Sequence, residues 1–185
     1  MVQAPLTLQL SDIRQAAVAY LARYAASAAQ LRAVLGRKIL RHARQQGQNR
    51  PAPQAKQWVD DVVAELEAKG LLSDVHYAET KTASLQRKGA SRAKIAATLH
   101  AKGVSRQVIQ QQLQTLSEED EAAALQRYLR RKRMGPHSAR GQWQPKDYAK
   151  LQRAGFGGPA LRALNIKPIP DDAGDECEDG ATDGT

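Results

Sequence analysis

The sequence predicts an all-α protein made of tandem three-helix (helix-turn-helix-like) repeats that form an elongated, right-handed-type helical array. Three observations predict it. Hydrophobic residues make up 42% of the chain but aromatic residues only 4%, which favours helices in small contacts over a β-rich core. Apolar residues recur at helical spacing between serine starts and Lys-Gly stops, and period-two alternation is hard to find. The whole pattern also returns at an offset of 64, pairing Ile13 with Tyr77, Leu21 with Leu85, Ser27 with Ser91, Leu31 with Ile95 and Leu35 with Leu99. Caps and core positions recur together, as a duplicated unit requires.

Residues 1–10 carry no periodicity and are expected to be a flexible arm. From Ser11 or Asp12, the residues Ile13, Ala16, Ala17, Tyr20, Leu21 and Tyr24 fall on one continuous helix face. Ser27 caps a second helix that turns Leu31, Val34, Leu35 and Ile39 inward. The polar stretch 45–57 holds two prolines and reads as a loop. A third helix carries Trp58, Val59, Val62, Val63 and Leu66 and stops at Lys69-Gly70, closing a first unit over 11–70.

The second unit, 71–116, is the sharpest. Ser73 and Asp74 start a helix that Lys88-Gly89 ends, Ser91 starts one that Lys102-Gly103 ends, and Ser105 starts a third towards Leu116. A third unit over 117–166 begins with the acidic turn Ser117–Glu121, with Leu125, Tyr128 and Leu129 as its stripe. A loop over 134–145 precedes a short helix from Asp147 to Ala154. Gly155-Phe156-Gly157 then replays Gly103-Val104-Ser105 at an offset of 52, with Leu151 answering Leu99 and Leu161 answering Ile109. Asp147 against Ile95 breaks the match. Pro159 suits the first turn of the last helix. Residues 167–185 read as a disordered acidic tail.

The net charge of +9 hides an asymmetry. Residues 171–185 hold seven acids and no base, which leaves 28 bases against 12 acids, or +16, for the body. A body this basic points to a polyanion or an acidic protein surface as partner. The lone cysteine, Cys177, fits a reducing compartment. No apolar run approaches the roughly 20 residues that span a bilayer, and the first ten residues lack the basic and apolar regions of a signal peptide. A cytoplasmic protein with no membrane contact is expected.

Catalytic motifs find no support. Ser91-Arg92-Ala93-Lys94 has the S-x-x-K spacing of a serine acylase, but no S-D-N or K-T-G accompanies it, and Ser91 stands where a helix cap belongs. Asp60, Asp61 and Glu65 fall on an exposed helix face. His42, His76, His100 and His137 are scattered without metal-ligand spacing, and no phosphate-binding G-x-x-x-x-G-K-[ST] loop occurs. No enzyme, cofactor or metal is therefore expected.

The basic residues are the candidates for partner or nucleic-acid contact. Arg87, Lys88, Arg92, Lys94, Lys102 and Arg106 gather at helix ends of the middle unit, and Arg127, Arg130, Arg131 and Arg133, beside Lys132, at the end of the next helix, ten candidates in all. Arg37, Lys38, Arg41 and Arg44 crowd a helix end of the first unit in the same way. Several also have a purely local role as cations at helix C-termini. Arg127, Arg130 and Arg131 make a one-sided patch able to track phosphates or acidic side chains. Ser105-Arg106-Gln107 with Gln110, Gln111 and Gln112 has the hydrogen-bonding groups of a DNA recognition helix. Trp58 is expected in a core, whereas Trp143 either stacks or packs under its loop.

The middle unit, from Gly70 to Ser105, resembles the core of the RecX regulatory-protein family. The likeness rests on Gly70-Leu71-Leu72, Asp74, Tyr77-Ala78, Arg87, Gly89, Ile95, Leu99, Lys102 and Gly103. Ala19-Tyr20-Leu21-Ala22-Arg23, Leu31-Arg32 and Leu35 in the first unit, and Leu151, Gly155-Phe156 and Leu161 in the last, are similar too. The resemblance implies a bacterial regulator that lies along the groove of the RecA filament on single-stranded DNA. It would modulate, most often inhibit, recombinase, ATPase and co-protease activities. It implies a non-enzyme with a diffuse binding surface, and a monomer is expected. The stretches 45–57 and 135–145 and the acidic tail depart from the family pattern, and Ser73 stands where a second acid adjoins Asp74. The alternative from charge and helix pattern alone is an autonomous DNA-binding protein.

Overall fold

The protein, seen here as a computed structural model, is described over residues 8–167. Among them the chain forms nine α-helices and no strand. These are α1 (Leu10–Leu21), α2 (Ala28–Gln45), α3 (Pro53–Ala68), α4 (Asp74–Arg87), α5 (Arg92–Ala101), α6 (Arg106–Gln114), α7 (Glu118–Lys132), α8 (Pro145–Arg153) and α9 (Gly158–Ala163). The expected acidic tail and most of the expected N-terminal arm lie outside the described residues.

Three apolar cores follow one another along the chain. The first joins α1, α2 and α3 through Ile13, Ala17, Leu31, Leu35, Val59, Val62, Val63 and Leu66. The second joins α4, α5 and α6 through Tyr77, Ala78, Ile95, Leu99, Val104 and Ile109. The third is built from α7, α8 and α9 by Leu125, Leu129, Leu151, Phe156, Ala160 and Leu161. All-α tandem three-helix repeats are thus the architecture. All five residue pairs related by the offset of 64 lie in or against these cores or at their caps. Leu72 packs into the first core, although it lies beyond the expected boundary at 70.

Serine chemistry fixes the helix starts. Ser27, Ser73, Ser91, Ser105 and Ser117 are all N-caps, and each Oγ accepts the N–H three residues on at 3.1–3.3 Å. Four of the stops share one device. A residue in left-handed conformation is followed by an apolar residue whose N–H reaches back to the last turn, so the apolar side chain drops into the core. Val104 bonds Leu99 O at 3.2 Å, Met134 bonds Leu129 O at 3.0 Å, Phe156 bonds Leu151 O at 3.1 Å and Ile166 bonds Leu161 O at 2.9 Å. All four are buried.

Several boundaries differ from the sequence reading. Helix α1 starts from Gln9, whose N–H donates to Asp12 Oδ2 at 2.9 Å, so Asp12 closes a capping box and is not itself the cap. It ends at Leu21, which leaves Tyr24 outside the helix and exposed. Leu8 and Leu10, expected in a loose arm, pack on the first core. The loop expected at 45–57 shrinks to 46–52, because Pro53 occupies the first helical position, where its missing N–H costs nothing. The loop after α7 contains a 3-10 turn over Gly135–His137.

The mismatch of Asp147 with Ile95 also has a cause. Helix α8 has nine residues against ten in α5, so counting from the N-cap places Tyr148, and not Asp147, opposite Ile95. Tyr148 packs on the third core. Asp147 instead accepts the Gln144 N–H at 3.1 Å and pairs with Lys150 Nζ at 3.2 Å, which satisfies its buried carboxylate.

Candidate partner and nucleic-acid interface

The basic side chains are positioned by the joints between units, and the two joints share one construction. At the first, the Ser27 hydroxyl donates to the carbonyl of Lys102, the residue that ends α5. At the second, the Ser91 hydroxyl donates to the carbonyl of Ala154, the residue that ends α8, at 2.7 Å. Ser27 and Ser91 are 64 residues apart, and Lys102 and Ala154 are 52 apart, the two offsets of the repeat. Each buried serine therefore accepts from its own helix and donates to the next unit, so both its hydrogen-bonding roles are filled.

The glycine after each carbonyl completes the joint. Gly103 has φ +74° and Gly155 has φ +84°, a conformation that strains any side chain. A Cβ on Gly103 would lie far inside contact distance of Ala29 Cβ, and one on Gly155 would stand 2.8 Å from both Ala93 Cβ and Ser91 Oγ. Ala29 and Ala93 are again related by 64.

The joints differ in their electrostatics. In the first, Asp74 Oδ1 accepts the Ala28 N–H at 2.8 Å, so a carboxylate of the second unit sits on the positive end of α2. In the second, Arg92 replaces Ala28. Its guanidinium donates to the Leu116 carbonyl, and its Nε lies 3.6 Å from Glu121 Oε2.

That detail sorts the ten candidate cations. Arg92 is half-buried and holds the joint. Arg131 donates to the Lys88 carbonyl and lies over the Tyr128 ring, 5.6 Å from its centroid, so it too is engaged. Lys102 is half-buried, and its carbonyl carries the Ser27 bond. Arg87, Lys88, Lys94, Arg106, Arg127, Arg130 and Arg133 are exposed, and none makes an ion pair within the described residues. Apart from Glu121 on Arg92, the acids that pair do so with other cations, for example Glu65 with Arg14 at 2.9 Å and Lys69 at 2.6 Å. Hydrogen bonds from Lys69 first, and then Arg14, hold the Glu65 carboxyl below its ordinary pKa.

The second joint also forms a groove of about 330 Å³. Lys88, Lys94 and Arg131 line it, together with Arg153, which the sequence reading did not single out. No carboxylate lines the groove, and Tyr128 and Phe156 form its apolar side, in an edge-on pair 5.3 Å apart. Such a surface can hold an anion or an acidic side chain by charge. Arg153 is legible only once the repeat places Ala154 at the joint.

Other sequence candidates resolve into structure. Ser91 is a cap and a joint donor, which uses both roles of the hydroxyl in the S-x-x-K motif. Gln112 is buried, which leaves Gln107, Gln110 and Gln111 on the exposed face of α6. Trp58 packs on the first core, and Trp143 packs on the third, where its ring would lie 2.6 Å from a Cβ on Gly135. No group of metal-ligating side chains occurs among the described residues, and no helix there is long and apolar enough to cross a membrane.

Comparison with known proteins falls on this same framework. Residues 73–113, the α4–α6 unit, match the family described as RecX, second three-helix domain. The Regulatory protein RecX of Myxococcus xanthus (strain DK1622) is 37% identical over 165 residues, covering 84% of this chain and 86% of that protein. No solved structure matches. At that identity over most of both proteins, and with the family match on the α4–α6 unit, the chain belongs to the RecX family of regulatory proteins.

Proposed function

We propose that this protein regulates the RecA recombinase by binding its filament on single-stranded DNA, and that it lowers recombinase, ATPase and co-protease activities. Membership of a family of regulatory proteins carries the reading. An array of units at 11–70, 71–116 and 117–166 suits it, because repeats spread contact along an extended partner. The exposed cations of α4–α7 would supply the charge for a filament that contains DNA. The protein acts by binding, as a cytoplasmic monomer without a cofactor. Titration against RecA-coated single-stranded DNA, followed by ATP hydrolysis, is the test. A fall in rate as the protein approaches stoichiometry is expected, and an unchanged rate in excess overturns the proposal.

The +16 body favours a second reading, direct binding to bare DNA. Such binding should weaken steeply as salt rises, because neutralised phosphates release counterions. Undetectable or salt-insensitive binding removes this reading and leaves the first intact.

A further inference from the structure

We propose that an open groove between α1 and α2 is a base-stacking site for single-stranded nucleic acid. Tyr24 would be the platform, and Arg23, Arg37, Lys38 and Arg41 would contact phosphates. The site lies in the first unit, apart from the ten candidate cations of the second and third, and joins Arg23 and Tyr24 to the basic cluster on α2. It deepens the nucleic-acid part of the reading above but requires no RecA.

The groove has a volume of about 740 Å³, and no carboxylate lines it. Its four cations come from the end of α1 and from one side of α2, and within the described residues none of them makes an ion pair. Four uncompensated cations around one concavity raise the local concentration of any anion. The aromatic component narrows the choice of anion. Tyr20 and Tyr24 lie with ring centroids 5.1 Å apart and planes tilted by 41°. Gln30 Nε2 donates to the Tyr20 hydroxyl at 3.1 Å and holds that ring, while the Tyr24 backbone N–H bonds Tyr20 O at 3.0 Å. Tyr24 itself remains 57% exposed.

An exposed ring backed by a fixed one, with cations lining the same groove, is what a single strand needs. Its bases present π faces while its backbone supplies charge at each step. An acidic peptide would use the cations but leave Tyr24 idle. The groove at the second joint makes the contrast. There, the Arg131 guanidinium lies over the Tyr128 ring and Phe156 pairs with it, so that ring is already engaged.

The test is binding of a short fluorescein-labelled oligothymidylate to the full chain, with no RecA present. Tyr24→Ala should weaken binding by roughly 5-fold or more, the lower end of the loss for one stacked base. Tyr24→Phe keeps the ring and should bind as wild type. An abasic oligonucleotide of equal length should bind wild type more weakly and no longer distinguish the alanine variant. The exposed position predicts unchanged thermal midpoints for both variants, which separates lost contact from lost fold. The proposal is overturned if wild type fails to bind the oligonucleotide, if Tyr24→Ala binds as wild type, or if the abasic strand binds as well as the natural one. Equal competition by poly-glutamate of matched charge would also overturn it, in favour of an acidic protein. Because RecA is absent, none of these outcomes prejudges the ATPase titration.

Discussion

Gly103→Ala probes the joint directly, and a second glycine supplies its control. Gly70 has φ +68°, close to the +74° of Gly103, but a Cβ there would meet nothing within 4 Å. Both substitutions incur the left-handed penalty of about 1–2 kcal/mol. Only Gly103→Ala also forces a methyl against Ala29 Cβ, where carbon atoms normally keep about 3.5–4.0 Å. Overpacking of that kind costs about 1–3 kcal/mol more. At roughly 2–4 °C per kcal/mol for a chain of this size, Gly70→Ala should lower the thermal midpoint by about 4 °C and Gly103→Ala by about 10 °C. The assay is helical circular dichroism during heating and in urea. Ala29→Gly removes the methyl that the new one would strike, so in the Gly103→Ala background it should recover part of the loss. A coupling energy of about 1–3 kcal/mol is expected from the double-mutant cycle. Equal effects of Gly70→Ala and Gly103→Ala, or a coupling energy near zero, would refute the close-packed joint.

Ser27→Ala should destabilise more than Ser105→Ala. Both lose a cap worth about 1 kcal/mol, but only the buried Ser27 leaves the Lys102 carbonyl of the next unit without its donor; urea midpoints compare them. Glu65→Gln should show pH-dependent destabilisation. The folded pKa of Glu65 lies below its ordinary 4.5, so its contribution is present above that value and lost as pH falls below it. The gap to wild type should therefore close in acid, and a pH-independent gap counts against the Lys69 and Arg14 pairing. Reversing the exposed pair Arg127 and Arg130 to glutamate should raise the concentration needed to slow RecA ATP hydrolysis and leave the thermal midpoint unchanged. Deleting residues 171–185 removes seven acids and should tighten DNA binding at low salt, an effect that vanishes as salt screens it.

Much of this fold was legible because serine and glycine punctuate it. The expected caps at Ser27, Ser73, Ser91 and Ser105 all form, and the expected acidic helix start at Ser117 is a cap as well, since an N-cap is a local interaction that three residues determine. Boundaries without such punctuation were less readable. Tyr24 continues the apolar period of α1, yet the helix stops at Leu21, because periodicity records a face and not an end. Arg133 and Asn165 adopt the left-handed stop conformation that glycine would have announced. For the candidate surface, sequence grouped the cations by proximity along the chain. It could not separate the engaged Arg92 and Arg131 from exposed neighbours such as Lys94 and Arg130, because their acceptors are carbonyls of another helix. Nor could it bring Arg23 to Arg37, Lys38 and Arg41, which meet only when α1 and α2 pack side by side.

The serine that starts one helix and ends on the next has a consequence for cooperativity. A helix start normally reports on a few neighbouring residues, but Ser27 and Ser91 tie it to the closure of a helix some 60–75 residues onward. Stability in such a chain is a nearest-neighbour sum, and these hydroxyls contribute to its coupling terms. Unfolding of the last unit would strip a donor bond from Ser91 and open the Gly155 contact, which weakens the start of α5. Loss would thus pass from unit to unit towards the N-terminus. Amide exchange in α5 should therefore speed up when only the third unit is destabilised. A filament ligand that gripped one unit would by the same linkage stiffen its neighbours.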